Sequence, residues 1–211
     1  MRDAFHDDLS TITDDLVDMT GMAATAIARA TTALLDADLQ TAESVIAADD
    51  DLDDARRRVD DRVVELLARQ QPVATDLRMV ITAMQMASDI ERMGDLARHL
   101  AKVARRRSPA HAIPEELRDV ITSMMRVAVQ LAESTGIAIS HRDVNAARGI
   151  ERADDAMDDL HRRVFGHLLN GWEHGTEAAV DITLVSRYYE RFGDHAVSVA
   201  DRVVYLVTGR Y

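Results

Sequence analysis

The chain contains no cysteine, only three prolines and nine glycines among its 211 residues, and only 4% aromatic residues. The missing cysteine excludes disulfides, thiolate nucleophiles, zinc fingers and iron–sulfur clusters. Because turn-forming and strand-forming residues are so scarce, a β-sandwich or β-barrel is a poor fit. Ala, Leu, Met, Arg, Asp and Glu dominate instead, so we expect an all-α protein.

Basic residues are also in short supply. The 25 Lys and Arg face 37 Asp and Glu, which gives a formal net charge of -12. Such a surface repels nucleic acid and anionic lipid, so we expect neither a nucleic-acid partner nor membrane insertion. No uninterrupted apolar run approaches the ~18 residues of a membrane-spanning helix, and the acidic start does not resemble a signal peptide. The expected location is therefore the cytoplasm.

Apolar residues recur along the chain in alternating steps of three and four, the period of an amphipathic helix. The pattern is interrupted at 36–38, around Pro72, at 105–114, at 141–143 and at 171–176. These interruptions predict six long helices. Since long helices with short connections pack as antiparallel neighbours, each successive trio is predicted to form an up-down-up bundle.

The clearest linker contains two of the three prolines. We therefore predict a first three-helix bundle over 1–107, a linker over 108–114 and a second three-helix bundle over 115–211. The basic triplet 105–107 precedes the linker. We expect it to face the C-terminal carbonyls of the third helix, with an anion or partner site as the alternative.

The two halves resemble each other in sequence. Residues 91–95 read Glu-Arg-Met-Gly-Asp and residues 190–194 read Glu-Arg-Phe-Gly-Asp, which is an offset of 99. The acidic segment 49–54 matches 154–159 at an offset of 105. Two matches in the same order indicate internal duplication of a three-helix unit.

Each repeated segment carries two carboxylates four residues apart, which places both on one face of a helix. Like charges at this spacing repel by ~0.2–0.5 kcal/mol per pair, so the repeated pairs call for a compensating cation. Four carboxylates from two facing helices would form an oxygen-rich site suited to Mg, Mn, Ca or iron. A solvated acidic face is the alternative. The pairs are Asp49 with Asp53, Glu91 with Asp95, Asp154 with Asp158, and Glu190 with Asp194.

Two other residue types recur inside the motif. Gly94 and Gly193 each cost about 1 kcal/mol relative to alanine in a helix, so we expect a neighbouring helix or an ion to approach closely there. Arg92 and Arg191 either pair with a neighbouring carboxylate or touch an anion such as phosphate. The sequence does not decide between a helix and an ion near the glycines, or between a carboxylate and an anion near the arginines.

No nucleophile constellation, phosphate-binding glycine loop or dinucleotide fingerprint is present, so we do not expect an enzyme. A metal-storing or ferroxidase-like helical bundle is the alternative function. It requires Glu-x-x-His motifs, for which Asp158-x-x-His161 is only a distant substitute. We expect His161 and His195 to have surface or packing roles.

Several motifs taken together resemble the PhoU family, which regulates bacterial phosphate uptake. They are 71–78 (QPVATDLR), 89–95 (DIERMGD), 189–196 (YERFGDHA) and 200–209 (ADRVVYLVTG). Residues 157–162 (MDDLHR) are most similar to the actinobacterial branch called PhoY. The resemblance covers essentially the whole chain and implies two tandem three-helix bundles with metal clusters on their surfaces.

The resemblance also implies ligands and partners. One metal cluster would use Asp49, Asp53, Glu91 and Asp95, and the other Asp154, Asp158, Glu190 and Asp194. Asp53 departs from members that have an amide there. The expected ions are divalent or trivalent: iron, zinc, manganese or magnesium. The implied function is negative regulation of the phosphate-specific ABC transporter and of two-component signalling. The implied partners are a PstB-like ATPase and a PhoR-like histidine kinase, and a homodimer is also expected.

Overall fold

The computed structural model describes residues 2–210 and contains six long α-helices within that range. Met1 and Tyr211, the outer ends of the two predicted bundles, lie outside the described residues. A short 3-10 helix at Glu115–Leu117 precedes the fourth helix. The helices are α1 (Arg2–Asp36), α2 (Leu39–Gln70), α3 (Thr75–Arg107), α4 (Arg118–His141), α5 (Val144–Leu169) and α6 (Gly175–Thr208).

Local chemistry sets the helix junctions near the predicted positions. Asp38 accepts a hydrogen bond from the backbone N–H of Thr41 at 3.1 Å and so caps the start of α2. Asp143 caps α5 in the same way, by accepting from the N–H of Asn145 at 2.8 Å. At the other end of the chain, Gly209 adopts a φ of 74°, a left-handed conformation that ends α6.

The helices pack as two trios, which confirms the all-α fold built from a repeated three-helix unit. In the first half α1, α2 and α3 contact one another, and in the second half α4, α5 and α6 do the same. Strands are absent from residues 2–210. The amphipathic period in the sequence thus predicted the class, and the two matched motifs predicted the repeat.

The halves dock on each other through antiparallel pairs, α1 against α4 and α3 against α6. Near the start of the α3–α6 contact Arg78 lies over the ring of Tyr205, and near its end Arg106 binds Asp181. Between α1 and α6, the hydroxyls of Thr31 and Tyr189 share a buried hydrogen bond of 2.5 Å. One hydrophobic core therefore runs through both halves, and the division at 108–114 stays a prediction.

Two residues of the basic triplet form ion pairs that join α3 to α6, an arrangement we call the clasp on Asp181. The side chains of Arg106 and Arg107 both bind Asp181 on α6, whose own side chain is 3% exposed. Arg107 also lies 2.9 Å from Glu177. The triplet was expected to face helix-end carbonyls or an external anion. Two of its members instead satisfy a buried carboxylate of the other half.

None of the helices within residues 2–210 combines the length and the apolar character needed to cross a lipid bilayer.

Candidate metal centres in the two halves

The predicted carboxylates form two groups at equivalent places in the repeat. The first-half quartet is Asp49, Asp53, Glu91 and Asp95, on α2 and α3, and the second-half quartet is Asp154, Asp158, Glu190 and Asp194, on α5 and α6. In each quartet the two helices bring their acidic pairs within electrostatic range of each other. Asp95 raises the pKa of Asp49 across the helix pair, and Asp194 likewise raises the pKa of Asp154.

A guanidinium group from the same chain bridges the first-half quartet. Arg98 Nη1 lies 2.6 Å from Asp49 Oδ2, and Arg98 Nη2 binds Asp95 Oδ1. The side chain of Asp49 is only 6% exposed and that of Arg98 is 29% exposed. One permanently charged group thus joins a carboxylate on α2 to a carboxylate on α3.

The rest of the first-half quartet is also paired with arginine. Arg92 Nη1 lies 2.9 Å from Asp95 Oδ2, and Arg92 Nε lies 3.8 Å from Glu91. Arg57 lies 3.9 Å from Asp53. Every carboxylate of this quartet therefore has a guanidinium within ion-pair distance. Of the two roles considered for Arg92, the structure shows pairing with neighbouring carboxylates.

Burial still disfavours charge in the first half. Burial is the largest cause that raises the pKa of Asp49, and Arg98 opposes it. Burial also raises the pKa of Glu91, with a further upward contribution from Asp95.

The second-half quartet has far fewer cationic partners. Arg187 Nη1 binds Glu190 Oε1, and its own side chain is half exposed. Within residues 2–210, the side chains of Asp154, Asp158 and Asp194 form no ion pair. Asp154 Oδ1 and Glu190 Oε2 are buried and lack a hydrogen-bond partner there. Arg191 is exposed and enters none of the ion pairs found in this part of the chain.

The pKa of Asp154 reflects this lack of compensation. Burial, and then repulsion from Asp158, Asp194 and Glu190, raise the pKa of Asp154 to about 7. Burial is also the main cause that raises the pKa of Glu190, against the opposing effect of Arg187. Since an uncompensated buried carboxylate is unfavourable, this quartet has an electrostatic reason to take up a cation.

The two motif glycines allow the helices to approach closely. A Cβ atom at Gly94 would lie 2.2 Å from Leu52 Cδ2, and one at Gly193 would lie 2.0 Å from Asp154 Oδ1. Each glycine therefore makes room for a side chain of the preceding helix. In the second half that side chain is itself a predicted metal ligand.

Arg98 could not be found from acidic spacing, although the sequence contains another signal for it. Asp95 and Arg98 have the i, i+3 spacing of a helical ion pair, whereas the matching pair in the second half is Asp194 and Val197. One turn further on, Lys102 matches Asp201. Comparing the repeats for basic as well as acidic residues would have revealed the difference.

The donor types suit a hard metal ion, and the second half fits better than the first. Carboxylate oxygens are the ligands that Mg²⁺, Mn²⁺ and iron accept. Two of those in the second half are buried without a hydrogen-bond partner, whereas the one such oxygen of the first-half quartet within residues 2–210, Asp49 Oδ2, is ion-paired with Arg98. Within residues 2–210, however, no three His, Asp or Glu side chains are already arranged to hold an ion. Metal ligation by either quartet stays a prediction.

The two histidines singled out in the sequence lie in packed positions. His195 Nδ1 lies 3.1 Å from Asp89 Oδ1, and Arg202 Nε donates to Asp89 Oδ2 at 2.8 Å, so this cluster joins α3 to α6. Together they hold the pKa of Asp89 below its usual value despite burial. His161 packs its ring against Phe165 on α5.

Comparison with known proteins gives a consistent result. A family model described as the PhoU domain matches residues 16–104 and again residues 121–203. The chain is 49% identical to the phosphate-specific transport system accessory protein PhoU homolog 2 of Mycobacterium tuberculosis, over the whole of both chains. It is 47% identical to PhoU homolog 1 of Mycobacterium leprae, covering all of this chain and 96% of that one. The crystal structure of PhoU from Pseudomonas aeruginosa matches with a TM-score of 0.85 at 27% identity, over 98% of this chain and all of that one.

Proposed function

Because this chain belongs to the PhoU family, we propose that it is a phosphate-responsive regulator that restrains phosphate uptake and phosphate-dependent signalling. Relatives that align along the full chain are named as accessory proteins of a phosphate-specific transport system. The proposed targets are a PstB-like transporter ATPase and a PhoR-like sensor kinase. Homodimer formation is part of the same proposal.

The observation that carries this proposal is the extent of the match. Both repeats match the PhoU domain, and relatives named as phosphate-specific transport system accessory proteins align along the full chain. The proposed regulatory activity is therefore assigned to the two bundles. Long helices with one continuous core provide a rigid surface for docking to another protein.

Metal binding is the second part of the proposal. Asp154, Asp158, Glu190 and Asp194 would hold ions in the second half, and the first-half quartet is the matching candidate. A bound ion would supply positive charge that neutralises the acidic face. The carboxylates would hold that charge in place and so fix the shape of the face that a partner meets.

The regulatory step then follows from differential binding. A docked protein shifts a partner between conformations only by as much as its affinity differs between them. We propose that the helical surface binds the restrained conformation of the transporter ATPase or kinase more tightly when phosphate is plentiful. This requires no reaction on the regulator itself.

A deletion experiment tests the proposed function. The gene is removed from its host together with any paralogue, and phosphate uptake and a phosphate-responsive reporter are measured in high phosphate. We expect both to rise, and to return to parental values when the full chain is restored. Unchanged uptake and reporter output would contradict the proposal. A pull-down of the full chain in high and low phosphate then identifies whether the ATPase or the kinase is bound.

A further inference from the structure

The two quartets occupy equivalent places in the repeat, but only the first already contains a cation. The guanidinium of Arg98 contacts carboxylate oxygens from both helices, Asp49 on α2 and Asp95 on α3. Arg98 therefore lies between the acidic pairs of α2 and α3, as an ion shared by the two helices would have to.

We infer that Arg98 takes the place of a metal ion in the first half, so that divalent cations bind to this chain only through the second-half quartet. This goes beyond the proposed metal binding and rests on it, since that proposal treats the two quartets as equivalent. The ligand class is a hard divalent cation such as Mn²⁺ or Mg²⁺, because all the donors are carboxylate oxygens.

Two features of the first half make displacement of Arg98 unfavourable. A guanidinium keeps its charge at all physiological pH values, so a proton cannot leave to make room for a metal. It forms an ion pair with Asp49 on α2 and a hydrogen bond with Asp95 on α3, so an incoming ion would have to displace it from both helices.

Among residues 2–210, no guanidinium joins the two helices of the second-half quartet. Val197 stands where the repeat predicts the equivalent of Arg98, and an apolar side chain offers no charge. The quartet's one guanidinium partner within residues 2–210 is Arg187, which is half exposed and binds Glu190 alone.

Within the described residues, Asp154 Oδ1 and Glu190 Oε2 are buried in the second half without a hydrogen-bond partner. Asp49 Oδ2 in the first half also lacks a hydrogen bond, but it lies 2.6 Å from the Arg98 guanidinium. Position 197 is equivalent to position 98 but holds valine instead of arginine. In the part of the chain that the structure describes, the second-half quartet therefore lacks an internal cation between its helices and still needs one.

The test uses the purified full chain, freed of metal with a chelator and then titrated with Mn²⁺. Bound Mn²⁺ is measured by equilibrium dialysis followed by elemental analysis. Matched variants Asp49→Asn and Asp154→Asn remove the equivalent carboxylate from each half. We expect Asp154→Asn to weaken Mn²⁺ binding by about tenfold or more, and Asp49→Asn to leave it unchanged.

Reciprocal exchange of the two positions provides the decisive variants. Arg98→Val should create an additional Mn²⁺ site, which Asp49→Asn then removes. Val197→Arg should abolish the site in the second half, with a loss of about tenfold or more in affinity. If Arg98→Val unfolds without metal, its midpoint of thermal unfolding should rise with added Mn²⁺ by more than that of the parent chain. Val197→Arg tests the same point without leaving a buried carboxylate unpaired.

The outcomes separate this inference from the proposals on which it builds. Equal loss of Mn²⁺ in Asp49→Asn and Asp154→Asn would overturn the role of Arg98 and leave metal binding intact. Absence of Mn²⁺ binding by the parent chain would overturn both the inference and the proposed metal binding. Neither result would affect the deletion test of phosphate regulation.

Discussion

The two halves of this protein share a backbone plan but solve the same electrostatic problem differently. In the first half, arginines of the chain pair with all four carboxylates of the quartet. In the second half, among residues 2–210, one half-exposed arginine pairs with one carboxylate. Duplication preserved the acidic pairs and the helix packing. The arginines that balance the charge differ in pairing between the halves, and the valine at 197 in place of Arg98 is one part of that difference.

Magnitudes explain why one substitution has such an effect. At an effective dielectric constant of about 20, a doubly charged ion about 4 Å from a guanidinium is repelled by about 8 kcal/mol. That equals the whole binding free energy of a micromolar ligand. A metal ion and Arg98 are therefore alternatives rather than neighbours.

The repeat is also asymmetric in the contact between α3 and α6, where the two halves meet. The pair Arg106 and Arg107 matches Tyr205 and Leu206 in the repeat, and Asp181 matches Thr82. One end of the α3–α6 contact is thus held by buried charges, and the other by an aromatic ring under Arg78. Substitutions in the α3–α6 contact and in the quartets show which of these differences affects stability and which affects metal binding.

The largest expected effect comes from removing the clasp on Asp181. Arg106→Ala combined with Arg107→Ala should lower the free energy of unfolding by about 3–5 kcal/mol, because a carboxylate with a 3% exposed side chain loses its ion pairs. Urea denaturation measures the change. Arg105→Ala is the matched control, since Arg105 pairs with Glu43 at 3.6 Å on the surface. It should change stability by less than about 0.5 kcal/mol, and an equal loss in both variants would contradict the clasp.

The next effect compares the two positions that distinguish the quartets. In metal-free buffer, Arg98→Ala should lower the free energy of unfolding by about 2–3 kcal/mol, because Asp49 and Asp95 lose their shared partner. This expected loss is smaller than that for the ion pairs on Asp181, because 29% of the Arg98 side chain is exposed. Val197→Ala should lose about 1 kcal/mol from packing alone. Equal losses for Arg98→Ala and Val197→Ala in urea denaturation would show that Arg98 stabilises the fold only through packing of its hydrocarbon stem.

A pH series separates the halves in another way. The pKa of Asp154 is raised to about 7 in the folded chain, above its ordinary value near 4. A raised pKa means that the stabilising effect is present below the ordinary value and is lost as pH rises through about 7. In metal-free buffer, Asp154→Asn should therefore gain stability relative to the parent between pH 4 and 7. After allowance for the exposed part of the side chain, the gain is about 1–2 kcal/mol.

Thermal unfolding at each pH, with the chelator present, gives this comparison. The exposed Asp61 provides the control, and Asp61→Asn should run parallel to the parent across the series. A difference between Asp154→Asn and the parent that stays constant from pH 4 to pH 7 would show that Asp154 is not held in an unfavourable charged state.

The sequence was sufficient for the fold because the fold depends on repeated, local signals. Apolar residues at steps of three and four specify a helix, and Asp38, Asp143 and Gly209 end or begin one by contacts within a few residues. The acidic pairs were also found, since their i, i+4 spacing fixes which face they share. The grouping of the pairs into two quartets came from the resemblance to the PhoU family, and metal ligation by either quartet stays a prediction.

The partners of those carboxylates could not be derived from acidic spacing alone. Asp49 and Arg98 are distant in sequence, and Asp181 is bound from the other half by Arg106 and Arg107. Such pairs depend on how separate helices are placed against each other. The sequence therefore predicted that the acidic pairs need a cation, and the structure was required to show that one half supplies its own.

The smallest effect concerns the two motif glycines. Gly193→Ala should displace the carboxylate of Asp154, because the new methyl group would lie 2.0 Å from Oδ1, and Mn²⁺ affinity should fall several-fold. Gly94→Ala should leave Mn²⁺ binding unchanged, because the methyl group would meet the flexible end of Leu52 instead. In both variants the gain in helix propensity, about 1 kcal/mol, offsets the crowding, so urea denaturation should show net changes below about 1 kcal/mol. Equal loss of Mn²⁺ affinity in the two variants would show that the glycines act through helix spacing alone, and that the halves differ less at these sites than their charges indicate.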